Sequence, residues 1–226
     1  MNDLWLELLP IALAMAITPG RFLAMILIMH TPRASVTALG FVSGMASTML
    51  IQGVAFALVF TLSGVFDNPT TEGPPLIVAA LFVVIGILML VYGGRMIFEE
   101  EIEDKAPPTW LEGINSFGPR GAYRLGLGWL FVSPKQWIFT LTAVAVIYLA
   151  GLAAADSFLN YVLFIFLVLS PFLLLLLFYV LFQARTDAVL DRLFGWIKAN
   201  ARIVMIVIFV FFGLYFLVKG LQSFFV

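Results

Sequence analysis

Long apolar runs separated by short polar stretches dominate the chain. We place six of them, at 4–29, 39–65, 75–98, 125–149, 158–182 and 203–225. A helix rises about 1.5 Å per residue, so runs of roughly 22–27 residues cross a hydrocarbon core about 30 Å thick with some tilt. The pattern predicts an all-α polytopic membrane protein with six transmembrane helices.

The first and fourth runs are each interrupted by a proline beside a small hydroxyl residue and a cation. The interruptions carry Thr18, Pro19, Gly20 and Arg21 in the first run, and Ser133, Pro134, Lys135 and Gln136 in the fourth. Proline lacks the N–H of a continuous helix and clashes with the preceding turn, so we predict that helices 1 and 4 are broken there. Interrupted spans at matching places in two halves of a chain indicate a transporter's binding region.

The long polar loop 99–124 divides the chain into two three-helix halves, 1–98 and 125–226. An odd number of spans in each half makes the halves enter the membrane from opposite sides. We therefore predict a 3+3 inverted repeat, although the cation follows the proline by two residues in one half and by one in the other. Loop 183–202 has apolar residues at helical spacing, which predicts a short amphipathic helix along the cytoplasmic interface.

Small residues indicate where helices approach closely. Gly40, Gly44 and Thr48 lie four apart on one stripe of the second span, which would admit a neighbouring backbone. Gly86 and Gly93 in the third span and Gly126 in the fourth are further candidates, but glycine is common in membrane helices, and for any single glycine we take that as the explanation.

Composition excludes several functional classes. Hydrophobic residues make up 63% of the chain and charged residues 11%, with a mean hydropathy of +1.10, which excludes an ordinary soluble domain. The chain has no cysteine and one histidine, His30, so disulfides and Cys- or His-based zinc sites are excluded. We find no nucleotide loop or hydrolytic triad, and we expect neither an enzyme nor a metal or cofactor site.

The cations are sorted by side. Nine of the twelve Lys and Arg residues lie in the loops after spans one, three and five or in the last turn before them, and Lys219 alone lies on the other face. By the positive-inside rule both termini face outward from a multi-pass protein of the cytoplasmic (inner) membrane. Asp3 and Glu7 stand where a cleaved signal would be basic, so we expect no signal peptide.

Arg21 and Lys135 are the two cations nearest the middle of a predicted span, and all thirteen acids lie outside the spans or at their ends. Both cations fall in one layer, roughly 3 Å (Lys135) and roughly 7 Å (Arg21) to the cytoplasmic side of the midplane at 1.5 Å per residue. With the free amides of two helix N-termini, they predict a site for a carboxylate, phosphate or sulfate. The alternative is that both side chains extend to the cytoplasmic headgroups.

Several stretches resemble a known family. Five short motifs carry the likeness. They are Thr31-Pro32-Arg33-Ala34 before Gly40-Phe41-Val42-Ser43-Gly44, the loop from Pro108-Thr109-Trp110-Leu111 to Gly126, Ser133-Pro134-Lys135, Leu190-Asp191-Arg192-Leu193 to Trp196, and Gly213 with Lys219-Gly220-Leu221. The chain resembles the lysine exporter (LysE) superfamily, and within it the GAP branch of sulfolipid- and peptidoglycolipid-addressing proteins. The Lys135 position is carried over. Ser133 replaces the Asn of that branch, and Arg21 stands where its members have an apolar residue or Pro.

The resemblance implies a six-span envelope protein that helps to move glycolipids outward. Our hypothesis is a transport protein that exports, or helps to translocate, a lipid-linked or small anionic compound by rocking of its halves. An amino-acid or cation exporter, or a non-transporting accessory subunit of a lipid export system, remains open. We expect membrane lipids and no nucleic acid as partners, and a homo-oligomer is left open.

Overall fold

The computed structural model describes residues 2–63, 76–98, 113 and 117–225, and this part of the chain is helical without a strand. Its helices are α1 (Asn2–Ala16), α2 (Pro19–Met29), α3 (Ala34–Ser63), α4 (Leu76–Phe98), α5 (Pro119–Val132), α6 (Pro134–Leu149), α7 (Ala154–Leu181) and α8 (Gln183–Phe225). The all-α prediction is confirmed for these residues.

Two bent helix pairs stand at the predicted prolines. Helices α1 and α2 meet at 57° and α5 and α6 at 76°, and each pair is long and apolar enough to count as one broken membrane span. Helices α3 and α7 are candidate spans over their full lengths, as are Ala79–Phe98 of α4 and Ala199–Gln222 of α8. The described chain thus has four unbroken candidate spans, or six when each bent pair is one span.

Two helix boundaries differ from the prediction. Helix α5 begins at Pro119, six residues before the expected start of the fourth span, because a proline at the first helical position is preorganised for a helix and Ala122 is fully buried. The predicted amphipathic segment is helical, but it continues without a break into the last span as part of α8. It is therefore not the separate interfacial helix that we expected. The remainder of the predicted central loop, 99–112 and 114–116, lies outside the described residues.

The helices of the two sequence halves interleave. Helix α5 packs along α3 and α1 packs along α7, so the first part of each broken span lies against the second span of the other half. Of the second parts, α2 packs against α8 and α6 packs against α4. Helices α4 and α8 also pack against each other. Burial of apolar surface between α1, α3, α6 and α7 places the core, including Phe41, Phe139 and Phe164, between the halves.

Glycines set the two closest helix pairs. A Cβ on Gly44 would overlap the backbone carbonyl of Tyr123, and one on Gly126 would overlap that of Phe41. Thr48 Oγ1 completes the α3–α5 contact by donating a 2.8 Å hydrogen bond to the Leu127 carbonyl. The α4–α8 pair has the same character. There Gly86, Gly93, Gly213 and Gly220 meet residues of the opposite helix. The close approach predicted for the stripe of span two is confirmed, and the candidates Gly86, Gly93 and Gly126 also lie at helix contacts.

Contacts between helix ends relate the two faces of the bundle. Glu7 near the start of α1 forms a 3.1 Å ion pair with Lys219 near the end of α8. His30, after α2, lies 3.4 Å from Asp191 in the first part of α8. The first described turns of α1 and the last turns of α8 therefore lie at one face, and the end of α2 lies at the other.

Candidate functional site

The helices that follow the two breaks begin in the same way, although two residues lie outside the helices in the first break and one in the second. In the first break, residues 17–18, the amides of Arg21 and Phe22 both bond to the Thr18 carbonyl, at 3.0 and 3.4 Å. In the second break, at Ser133, the amides of Gln136 and Trp137 bond to the Ser133 carbonyl at the same two distances. In each, an extended capping residue is followed by proline at the first helical position, with no side-chain cap.

Three contacts join one break to the other. The Arg21 Nη2 donates a 3.4 Å hydrogen bond to Oε1 of Gln136. The Lys135 Nζ lies 3.5 Å from the carbonyl oxygen of Ala14. Gly20 packs on the indole of Trp129, close enough that a Cβ would stand 3.3 Å from Cζ2. The structure therefore brings the eight predicted site residues into one region, formed by four helix ends.

The two cations act on the same helix terminus. Arg21 Nη1 donates to the Met15 carbonyl at 3.3 Å, and Lys135 Nζ faces the carbonyl of the preceding residue, Ala14. Thr18 Oγ1 also donates to Met15 O, at 3.3 Å. The carbonyls of a helix C-terminus carry partial negative charge, so cations stabilise this end of α1.

Arg21 and Lys135 differ in how far protein groups enclose their charged ends. The side chain of Arg21 is 3% exposed and both of its Nη groups have protein partners, so it does not extend to a headgroup layer. Lys135 is half-buried, with Nζ 5.1 Å from the Phe209 ring centroid and 5.7 Å from that of Phe139. The ammonium of Lys135 is thus the more available charge, held between two aromatic rings.

Lys135 borders a largely apolar cavity, which we term the first cavity. Its volume is about 340 Å³, within the size range of small-molecule sites. It is lined by Ile85, Leu88, Met89 and Tyr92 of α4, Ser133, Pro134, Lys135, Ile138 and Phe139 around the second break, and Phe209 of α8. Among the described residues of this lining, the only charged group is the Lys135 ammonium. Of the predicted site residues, Ser133, Pro134 and Lys135 line the cavity, while Pro19 and Gln136 are buried in the bundle.

The structure adds two polar residues that the sequence analysis did not single out. Gln136 Nε2 donates to Thr140 Oγ1 at 3.2 Å, and Thr140 Oγ1 donates to Gln52 Oε1 at 3.4 Å. Thr140 and Gln52 are completely buried. A glutamine inside an apolar span is costly to bury and is a usable sign of a site, so Gln52 could have been found from sequence.

Comparison with known families decides the assignment. The family model of Sap, the sulfolipid-1-addressing protein, matches residues 8–222 of the chain. The chain belongs to the sulfolipid-1-addressing protein family. No curated protein sequence and no solved structure gives a significant match. The match covers both breaks and every helix of the bundle, and it agrees with the GAP resemblance that the sequence motifs indicated.

Membership in this family and the apolar helices together indicate a multi-pass membrane protein connected with lipid export.

Proposed function

We propose that this protein exports a lipid-linked anionic compound, or helps to translocate one, across the cytoplasmic membrane, and that it is a carrier without catalytic activity. The observation that carries the proposal is the Lys135 ammonium at the wall of the apolar first cavity. An amphiphile with an anionic head matches this surface, because its head would pair with the ammonium and its chain would lie against the aliphatic and aromatic walls.

Charge balance favours an anion at this position. In the described part of the chain, the Lys135 ammonium lies near a carbonyl and two aromatic rings and makes no ion pair with a carboxylate. Arg21 adds a second positive charge in the same layer. A buried cation is costly unless it is compensated, and a sulfate or phosphate ester of the cargo would compensate it.

The family description narrows the head group. A sulfolipid carries a sulfate ester or a sulfonate, and both groups stay ionised throughout the physiological pH range. We therefore propose a sulfated or otherwise anionic glycolipid as the cargo class, with Lys135 as the residue that binds its charged group and Arg21 as the residue that holds the break in shape.

The proposed 3+3 inverted repeat has two lines of support. The first is that the helices after the two breaks begin in the same way. The second is the pairing of helices. A two-fold axis would exchange α1 with α5, α2 with α6, α3 with α7 and α4 with α8. This exchange converts the α3–α5 contact into the α7–α1 contact and leaves the α4–α8 pair unchanged. This arrangement is expected when a pseudo-two-fold axis lies in the membrane plane.

The bodies that move are proposed to combine helices of both halves. The glycine contacts make α3 with α5, and α4 with α8, the tightest pairs, and each pair contains one helix from 1–98 and one from the second half. Displacing α4–α8 from α6 would open or close the first cavity, since these three helices form most of its walls. Rocking would then occur between these pairs and not between the sequence halves.

Two other functions remain as alternatives. An amino-acid exporter would use Lys135 for the substrate carboxylate, and its small polar cargo fits the apolar walls less well. An accessory subunit would bind the lipid without moving it. A metal-cation exporter would require acidic residues among the spans, whereas the acids of this sequence lie at or beyond span ends.

Native mass spectrometry of the detergent-purified protein tests the proposal. We would compare sulfated galactosylceramide with its uncharged parent on wild type, Lys135→Ala and the control Arg33→Ala, which removes an exposed cation outside the bundle. Retention of the sulfated lipid by wild type and Arg33→Ala, with loss from Lys135→Ala, supports the site. Equal retention by all three proteins, or by none, contradicts it. Transfer of the labelled lipid between leaflets of liposomes containing only this protein then separates a transporter from an accessory subunit.

A further inference from the structure

A chain of buried hydrogen bonds runs inward from the two breaks, and its donors all point the same way. Arg21 donates to Gln136, Gln136 to Thr140, and Thr140 to Gln52, over 3.2–3.4 Å at each step. The four side chains, which we term the polar ladder, are at most 3% exposed. The ladder ends at the amide nitrogen of Gln52.

The polar ladder has two donors to spare. Gln52 Nε2 and Arg21 Nε are buried and have no hydrogen-bond partner among the described residues. A buried donor without an acceptor is destabilising, and native structures rarely keep one without a reason. Both unpaired atoms are N–H donors, so the missing partner is an acceptor.

The polar ladder lies between two cavities. The first cavity contains Lys135, the residue before Gln136. A second cavity of about 580 Å³ opens between α3, α6 and α7, and is lined by Gly53, the residue after Gln52, and by Val144, one helical turn beyond Thr140. On α6 the distance from Gln136 to Val144 is about 12 Å at 1.5 Å per residue.

The second cavity lies toward the opposite face of the bundle from the end of α2. Its walls include Leu149 and Gly151, at the turn between α6 and α7, and Thr61, near the end of α3. Among the described residues of its lining, the polar side chains are the hydroxyls of Thr61, Tyr148, Ser157 and Tyr161, and none is charged. The second cavity can therefore accommodate the chains of an amphiphile but provides no opposite charge to bind an ionised head group.

We propose that Gln52 and Thr140 form a second binding position for the head group, on the path from the first cavity to the second. The ligand class is a head group rich in hydrogen-bond acceptors, such as sulfate, phosphate or sugar oxygens. The head leaves Lys135, is held by the Gln52 amide and the Thr140 hydroxyl, and continues along α6 while its chains follow the apolar walls. This inference rests on the proposed function and adds the residues beyond the breaks.

Liposome transfer of fluorescent sulfated galactosylceramide tests the path. The variants are Gln52→Leu and Thr140→Val, and the control is Thr142→Val, because Thr142 is equally buried on α6 but bonds only to the Ile138 carbonyl of its own helix. Loss of one hydrogen bond during passage should slow transfer about tenfold in the first two variants. Binding of the lipid at Lys135 should change less than about twofold, and Thr140→Ser should restore transfer.

Gln52→Glu gives a second reading if the apolar variants fold poorly. Glutamate preserves an acceptor for Thr140 but removes the Nε2 donor, and its ionised form repels the anionic head, so transfer of the sulfated lipid should slow at least about tenfold. Wild-type transfer rates in Gln52→Glu, or equal rates in Thr140→Val and Thr142→Val, would overturn the path while leaving the Lys135 site intact. Failure of the wild-type protein to bind or transfer the lipid would overturn the proposed function, and the path with it.

Discussion

Arg21 and Gln136 are hydrogen-bonded to each other and stand 115 positions apart, the same separation that relates Pro19 to Pro134. They therefore occupy equivalent positions of the two breaks. Residues related by a two-fold axis touch each other only near that axis, so this hydrogen bond marks the place where the proposed axis crosses the bundle. The cation stands on one side of the pair and a neutral amide on the other, which makes the site asymmetric.

A double-mutant cycle would measure this pair. Arg21→Met and Gln136→Leu should each lower the free energy of unfolding by about 1–3 kcal/mol, because each leaves a buried polar partner unpaired. The double variant should lose about 1 kcal/mol less than the sum of the two. Chemical denaturation in detergent provides the measurement. Arg21→Met combined with Thr142→Val, which shares no hydrogen bond with Arg21, should be additive within about 0.5 kcal/mol. Additivity in both pairs would contradict the bond.

Gly44 and Gly128 make a matched pair for helix packing. Gly44→Ala should destabilise the protein by about 1–3 kcal/mol, because the new Cβ would overlap the backbone of α5, which cannot rotate away. Gly128→Ala should be neutral or stabilise by about 0.5–1 kcal/mol, since nothing lies within 4 Å of a Cβ there. Thermal unfolding of the purified variants distinguishes them, and equal melting temperatures would argue against the close α3–α5 contact.

Filling the first cavity should expel its ligand. Leu88 lines this cavity, whereas Leu62 is 84% exposed on α3. Leu88→Trp should reduce retention of sulfated galactosylceramide about tenfold or more, because the indole would occupy the volume that the lipid chain needs. Leu62→Trp should retain the lipid as the wild type does. Native mass spectra would show both results. Full retention of the lipid by Leu88→Trp would mean that the lipid chain does not bind in the first cavity.

Single cysteines should report the orientation, since the chain has none of its own. The positive-inside rule predicts that Ala154→Cys reacts with a membrane-impermeant maleimide in intact cells, and that Arg33→Cys reacts only after the membrane is opened. Both positions are exposed in the structure. The opposite labelling pattern would place the termini inside, and the direction of transport would have to be reversed.

Local chemistry accounts for the elements that could be predicted from sequence. The all-α class follows from apolar runs long enough to cross a bilayer, and the breaks were predicted where a proline stands within two residues of a cation, at Pro19 and Pro134. Pro10 and Pro171 have no such cation and lie inside helices α1 and α7. Glycine spacing likewise predicted the contact surface at Gly44, since a missing Cβ is a property of the residue itself, whereas a single glycine such as Gly126 could not be told from the many that membrane helices contain. The start of α5 at Pro119 and the continuity of α8 were missed because polar residues at the end of a span are equally compatible with a loop and with a helix.

The sequence by itself thus determined the class of the protein, the places of its two breaks and the presence of two cations toward the middle of the spans. Tertiary structure alone decided which of the two cations is held by protein acceptors and which lies beside a cavity. It turned Arg21 toward Met15 and Gln136, left Lys135 beside a cavity, and placed Gln52, from another helix, at the end of the polar ladder. The reason is that hydrogen bonding and burial depend on distances between helices far apart in the chain, and no local pattern of residues specifies those distances.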